Sequence, residues 1–183
     1  MKLVILDRDG VINEDSDDYI KSPVEWHPLP GSLEAIAKLN HFGFKVAVAT
    51  NQSGLARGLF SIDELNAIHH KFHQALDRIG GQLECLVFCP HGPDDGCACR
   101  KPKPGLLLQI KERLGVDLDN VPVVGDAMRD IVSAQTVGAY PILVKTGKGH
   151  RTLTRHASEL YDIPVLPNLA AAVETILGSN AKK

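Results

Sequence analysis

The sequence predicts an α/β fold built on a mostly parallel sheet, and three features carry that prediction. Short runs rich in Val, Ile and Leu alternate with longer amphipathic stretches along the chain. The runs show little polar alternation, as expected of strands buried on both faces. Carboxylate, amide and hydroxyl residues follow several of these runs, where ligands bind in such sheets.

The first strand is Leu3–Leu6, ending at Asp7. A helix over Ser32–His41 follows Pro30-Gly31 and stops before Gly43. The second strand, Val46–Thr50, runs into Asn51, Gln52 and Ser53. A helix over Ser61–Ile79 opens with Ser61-Ile62-Asp63-Glu64, a capping-box pattern, and ends at Gly80-Gly81. Strand Leu86–Cys89 precedes a helix over Pro104–Leu114 that starts on Pro and stops at Gly115. Strand Val121–Val124 leads into Gly125-Asp126, then a helix over Arg129–Val137 that stops at Gly138. Strand Ile142–Val144, a weaker strand Ile163–Leu166 and a helix over Leu169–Leu177 complete the pattern, leaving a short polar tail. Right-handed crossovers make this a Rossmann-like three-layer sandwich. The long irregular stretches, Asp15–Trp26 and Pro90–Pro104, are expected near the site.

The 183 residues suffice for one domain with a substantial core, so residues 1–183 are read as a single unit. A net charge of −2 with 5% aromatic residues offers no electropositive track for nucleic acid. No apolar run is long enough to span a bilayer, and Met1–Leu6 is too short for a signal peptide. The expectation is a cytoplasmic monomer that acts on a small molecule, with neither nucleic acid nor membrane as partner.

Asp7, Asp9, Asp126 and Asp130 gather at one sheet edge. Carboxylates so placed repel one another unless a cation neutralises them, and an oxygen-only set suits Mg²⁺ shared with a substrate phosphate. One carboxylate could attack phosphorus, while another, two residues along, could exchange protons with the leaving oxygen. Thr50 could donate to the phosphoryl group and Lys101 could supply charge. Taken singly, each of these residues is an ordinary turn, strand end or surface charge. Their joint occurrence at successive strand ends points to chemistry.

Cys89, His91, Cys97 and Cys99 lie within eleven residues, a Cys₃His set sufficient for a closed tetrahedral Zn²⁺ site. Such a site would be structural and would brace a long loop. The competing reading is a disulfide plus free thiols. Cys85 reads as a small buried apolar residue. Zinc would fix the backbone that presents Arg100 and Lys101, and the Arg100 fork suits a second phosphate or a carboxylate.

Asp7-Arg8-Asp9-Gly10-Val11, Thr50, Lys101 and Gly125-Asp126 with Asp130 resemble the four motifs of the haloacid dehalogenase-like phosphatase superfamily. The match covers nearly the whole chain. The resemblance implies that Asp7 is the nucleophile and Asp9 the general acid, then base. It implies that Asp7, the carbonyl of Asp9 and Asp126 hold Mg²⁺, and that Thr50 and Lys101 steady the phosphoryl group. Asp130 would support the metal or orient Lys101. The cysteine pattern with Arg100-Lys101-Pro102, and Thr50–Gly54 with Ala56-Arg57-Gly58, resemble the D-glycero-D-manno-heptose 1,7-bisphosphate 7-phosphatases and the related histidinol-phosphate phosphatases. These relatives lack a large cap domain, and no insertion here is big enough to be one.

Two substrates fit this resemblance. A heptose bisphosphate, on the route to ADP-heptose and lipopolysaccharide core, would place its second phosphate on Arg100 and its hydroxyls on Asp15, Tyr19, Asn51, Gln52 and Ser53. Histidinol phosphate would offer an amine to Asp15, Asp17 and Asp18. A standalone chain of this length resembles the heptose enzymes more closely. Some of those carry Lys after the fourth-motif Asp, where this chain has Ala127; Lys145, Lys148 and Arg151 read as surface charges that could compensate. A zinc-stabilised nucleic-acid-binding module or a 3′-phosphatase would need the basic face that this composition lacks.

Overall fold

The computed structural model describes residues 1–180. Six strands, β1 (Leu3–Leu6), β2 (Lys45–Asn51), β3 (Cys85–Cys89), β4 (Pro122–Gly125), β5 (Tyr140–Val144) and β6 (Val165–Leu166), form one sheet. All pairings are parallel and the order is β3-β2-β1-β4-β5-β6. The chain starts at the centre, winds outward through β2 and β3, then returns to β4 on the other side of β1. The crevice between the carboxyl ends of β1 and β4 is therefore the topological switch point, where such sheets bind ligands.

Strand period divides the core in two. Val4 and Leu6 face one layer with Val46, Val48, Val124 and Ile142. Leu3 and Ile5 face the other with Ala47, Ala49, Val87 and Val123. Helices α1 (Ser32–His41), α2 (Ile62–Asp77) and α6 (Leu169–Asn180) cover the first face through Ile36, Leu39, Ile68, Phe72 and Val173. Helices α3 (Gly105–Leu114) and α4 (Met128–Thr136) cover the second through Leu106, Ile110 and Ala134. The three-layer sandwich is thus as the sequence predicts.

Element bounds agree with the sequence to within a few residues. The Ser61 capping box forms in full: Glu64 N donates to Ser61 Oγ and Ser61 N to the Glu64 carboxylate. The strand expected over Ile163–Leu166 is only Val165–Leu166, because Pro164 has no N–H for the ladder. A further helix, α5 (Gly149–Arg155), is absent from the sequence reading. It has seven residues, begins on Gly and carries two threonines, so neither propensity nor periodicity announces it. The polar tail after Leu177 stays helical through Asn180; residues 181–183 lie outside the described residues. Among the described residues, no helix is long and apolar enough to cross a membrane.

Candidate active site

Asp7 is the first residue past β1, and its N–H still donates to the Val124 carbonyl at 2.9 Å, which ties it to β4. Its Oδ1 accepts from the Arg8 N–H at 2.8 Å and lies 3.0 Å from Lys101 Nζ. Lys101 also reaches Asp130 Oδ1 at 2.6 Å and the Ala49 carbonyl at 2.7 Å. All three side chains are buried. Burial disfavours the Lys101 ammonium, but Asp130 and Asp7 outweigh it and hold its pKa above the usual lysine value. Burial pushes Asp7 up to about 6, with Lys101 opposing and Asp130 adding to the rise. For Asp130, burial is outweighed by Lys101 and Arg129, and the carboxyl sits below its usual range. Asp130 also caps α4, since its Oδ2 accepts from Ala127 N at 3.1 Å.

Asp126 follows β4 and is fully buried. Its Oδ2 accepts from Lys148 N at 2.7 Å, and its carbonyl accepts from Thr152 Oγ1 at 2.9 Å. Lys148, the N-cap of the unforeseen α5, therefore holds the carboxylate, and Thr152 within the helix holds the Asp126 backbone. Asp126 Oδ1 is buried with no hydrogen-bond partner. Burial, then Asp130 and Asp7, push Asp126 up to about 8. One oxygen each of Asp7, Asp126 and Asp130 lies within 4.8 Å of the other two. An orphaned buried oxygen among mutually destabilising carboxylates fits a hard cation such as Mg²⁺.

Asp9 faces the same cavity, of about 250 Å³, that Asp7 and Thr50 line. Its carboxylate accepts from Arg8, Asn13 and Gln52. Burial works against the Asp9 anion, but Arg8 and the two amides outweigh it and lower the pKa. Gln52 Nε2 donates also to Thr50 Oγ1, both at 2.8 Å.

The residues expected around the sugar and its second phosphate, Asp15, Tyr19, Asn51, Gln52, Ser53 and Arg100, all line this cavity; of the other two acids expected to meet an amine, Asp17 lines it and Asp18 does not. Both long irregular stretches therefore reach the site. Four of the side chains expected around the sugar and its second phosphate are already engaged within the protein, Gln52 through Asp9 and Thr50. Asn51 receives Lys101 N at 3.1 Å and donates to Lys101 O at 3.0 Å, so it clamps that backbone. Asp15 pairs with Lys148 Nζ at 3.0 Å. Arg100 Nη1 donates to the His91 carbonyl at 3.3 Å.

Two further cations stand in the wall, of which the sequence named Lys148 as a possible compensating charge and missed Arg129. Lys148, read as a surface charge, lines the cavity, and so does Arg129 from the first turn of α4. Arg129 Nε is buried without a hydrogen-bond partner. Its position one residue before Asp130 was the available signal. Arg151 lies in the neighbouring cleft, 3.8 Å from Asp17.

Cys89, His91, Cys97 and Cys99 converge beside this wall. Cys89 Sγ lies 3.2 Å from Cys99 Sγ and 3.7 Å from Cys97 Sγ; His91 Nδ1 lies 3.3 Å from Cys99 Sγ. All four cysteines are free thiols. Ligand atoms about 2.3 Å from a central tetrahedral ion would stand about 3.8 Å apart, so the cluster could close on one metal. Cys85 is apart from it and packs against the second core.

A family model described as HAD-hydrolase-like matches residues 98–172. A D-glycero-beta-D-manno-heptose-1,7-bisphosphate 7-phosphatase of Bordetella bronchiseptica is 54% identical over 177 residues, covering 97% of this chain and 98% of that one. The enzyme of the same name from Pseudomonas aeruginosa is 53% identical over 175 residues, covering 96% and 97%. The crystal structure of the D,D-heptose 1,7-bisphosphate phosphatase from B. bronchiseptica, complexed with magnesium and phosphate, superposes with a TM-score of 0.94. It covers 98% of this chain and 99% of that one.

Proposed function

The chain belongs to the D-glycero-D-manno-heptose-1,7-bisphosphate 7-phosphatase family of HAD-like hydrolases, and on that premise we propose how its residues remove the 7-phosphate. It is a Mg²⁺-dependent phosphoric monoester hydrolase, and its product, heptose 1-phosphate, leads towards ADP-heptose and lipopolysaccharide core.

Asp7 Oδ attacks phosphorus while the bond from phosphorus to the sugar oxygen breaks, and Asp9, protonated once the negative charge of the bound phosphate raises its pKa, gives its proton to that oxygen. Asp9, now a carboxylate, takes a proton from water as the water oxygen attacks the aspartyl-phosphate. The bond from phosphorus to Asp7 then breaks and inorganic phosphate leaves. Lys101 and Thr50 bind the phosphoryl oxygens. Asp7, Asp126 and the Asp9 carbonyl are the ligands for Mg²⁺, which supplies charge neutralisation at the phosphoryl group. Asp130 holds Lys101 against Asp7.

The distal phosphate lies towards Arg100, with Arg129 and Lys148 as the other cations of the wall, and Asp15, Tyr19, Asn51, Gln52 and Ser53 face the sugar. Arg129 and Lys148 supply the charge that Ala127 does not. Zn²⁺ is the metal of the Cys₃His loop, a closed set with a structural role. Residues 1–183 act as one catalytic unit, a cytoplasmic monomer. The β anomer is the preferred substrate, in keeping with the names of the Bordetella and Pseudomonas relatives.

The observation that carries this reading is the buried Asp7–Lys101–Asp130 chain beside the orphaned Asp126 oxygen at the β1/β4 crevice. The experiment is a comparison of kcat/KM for both heptose bisphosphate anomers and histidinol phosphate, with Asp7→Asn as control. The β-heptose bisphosphate should lead, and Asp7→Asn should abolish turnover while leaving the circular dichroism spectrum unchanged. A preference for histidinol phosphate would reject the substrate; a turning-over Asp7→Asn would reject the nucleophile.

A further inference from the structure

Arg8 separates the two motif aspartates and is the largest charged side chain with no exposure at all. A fully buried guanidinium needs partners for its donors, and this one has two. On one side, Nε and Nη2 reach Asp9 Oδ1 at 3.1 and 2.8 Å, and Nη2 also reaches Oδ2 at 3.0 Å. On the other, Nη1 lies 3.1 Å from His69 Nε2 on α2. Arg8 can only donate, so His69 Nε2 is the acceptor and its ring is neutral with the proton on Nδ1. Burial, with Arg8 beside it, holds His69 down at about 3, consistent with a ring that stays neutral.

Asp9 Oδ1 takes both guanidinium nitrogens and the Asn13 amide at 2.9 Å. Oδ2 takes one guanidinium nitrogen and the Gln52 amide at 2.8 Å. Oδ1, with three donors against two on Oδ2, is the more firmly held oxygen. The Asp9 side chain keeps 19% exposure while Arg8 keeps none, so the clamp lies behind the carboxylate.

From this geometry we infer that Arg8, braced by neutral His69, is a positioning residue that fixes the Asp9 carboxylate for proton transfer at the scissile oxygen. The inference rests on the reading of Asp9 as the proton carrier. Neither Arg8 nor His69 lines the cavity that Asp7, Asp9 and Thr50 share. Their removal should therefore hurt substrates whose leaving oxygen needs a proton and spare those whose leaving group departs as a stable anion.

The test measures kcat/KM at saturating Mg²⁺ for heptose 1,7-bisphosphate, an alkyl phosphate, and for p-nitrophenyl phosphate. The variants are His69→Leu, His69→Gln and Arg8→Lys, with Asp9→Asn as reference. His69→Leu and Arg8→Lys should each lose about tenfold or more on the bisphosphate and less than about threefold on p-nitrophenyl phosphate, against the 10²–10⁴-fold typical of general acid–base catalysis. His69→Gln keeps an acceptor near the Nε2 position and should restore most of the bisphosphate activity. Equal losses on both substrates, no loss, or failure of Gln to restore would overturn the positioning role. Should His69→Leu not fold, the contrast between Arg8→Lys and His69→Gln decides. If Asp9→Asn itself shows no preference for the better leaving group, the proton-carrier reading fails. If it does and the Arg8 and His69 variants do not, only the positioning role fails.

Discussion

Gly10 shows how little room the site leaves. It has φ +83°, and a Cβ there would lie 2.0 Å from Asp126 Oδ2, so any side chain would drive the β1 and β4 carboxylates apart. The sequence marks Gly10 only as a turn residue after two aspartates. Arg8 is the opposite case: in sequence it is a spacer, and in the fold it is a buried fork between Asp9 and His69. His69 gives a residue-scale prediction. Its pKa is depressed in the fold to about 3, against 6.5 when unfolded. A depressed group stabilises fully above its unfolded pKa, and that stability fades as pH falls from 6.5 towards 3. His69→Gln removes the titration but keeps an acceptor. The acid limb of stability against pH should flatten by up to about 1.4 kcal/mol per pH unit, read from urea melts between pH 4 and 7. An unchanged acid limb would reject the neutral buried ring.

Two elements show what a loop can contribute without core of its own. The segment from Cys89 to Lys101 holds few buried apolar side chains. Its anchors are the Cys₃His cluster, the Asn51 clamp on the Lys101 backbone and Lys103 Nζ donating to the Cys97 carbonyl at 2.7 Å. Because Cys99 is two residues from Lys101, the cluster and the buried Lys101 ammonium share one short stretch of backbone. Cys97→Ser should lose zinc and lower kcat/KM by about tenfold or more, since small displacements of a positioned group can cost up to about 10²-fold. Elemental analysis with steady-state kinetics checks both, and a zinc-free variant with full activity would separate the loop from catalysis. Helix α5 supports Asp126 through Lys148 N and Thr152 Oγ1. Its stabilising bonds are to a residue 22 or more positions away, so no local pattern predicts it.

Over the whole molecule, the buried carboxylates place a cost on the metal-free fold that a cation relieves. Burial and then Asp130 raise Asp126, with Asp7 adding to the rise; burial also raises Asp7, where Lys101 opposes and Asp130 adds. Mg²⁺ at about 100 times its Kd should add about 2.7 kcal/mol, a rise in Tm of about 5–10 °C for a chain of this size. Asp126→Asn should abolish that rise while its metal-free Tm stays level or increases, because a buried carboxyl pushed far above its usual pKa is gone and the Lys148 N–H keeps an acceptor. Thermal melts with and without Mg²⁺ measure both; an undiminished rise in Asp126→Asn would remove Asp126 from the metal site.

The sequence by itself determined the alternation of strand and helix, the strand ends that carry Asp7, Thr50 and Asp126, and the Cys₃His spacing. These are local patterns of apolarity, capping and motif, and each is written within a window of about twenty residues. Tertiary structure alone decided which strand ends meet. The order that sets β4 beside β1 joins Asp7 to Asp126 across more than a hundred residues of chain. Packing likewise turned Asn51 onto the Lys101 backbone, set His69 behind Arg8, and brought Lys148 and Arg129 into the cavity wall. Those roles depend on hydrogen bonds between residues far apart in sequence, whose partners exist only once the sheet has closed.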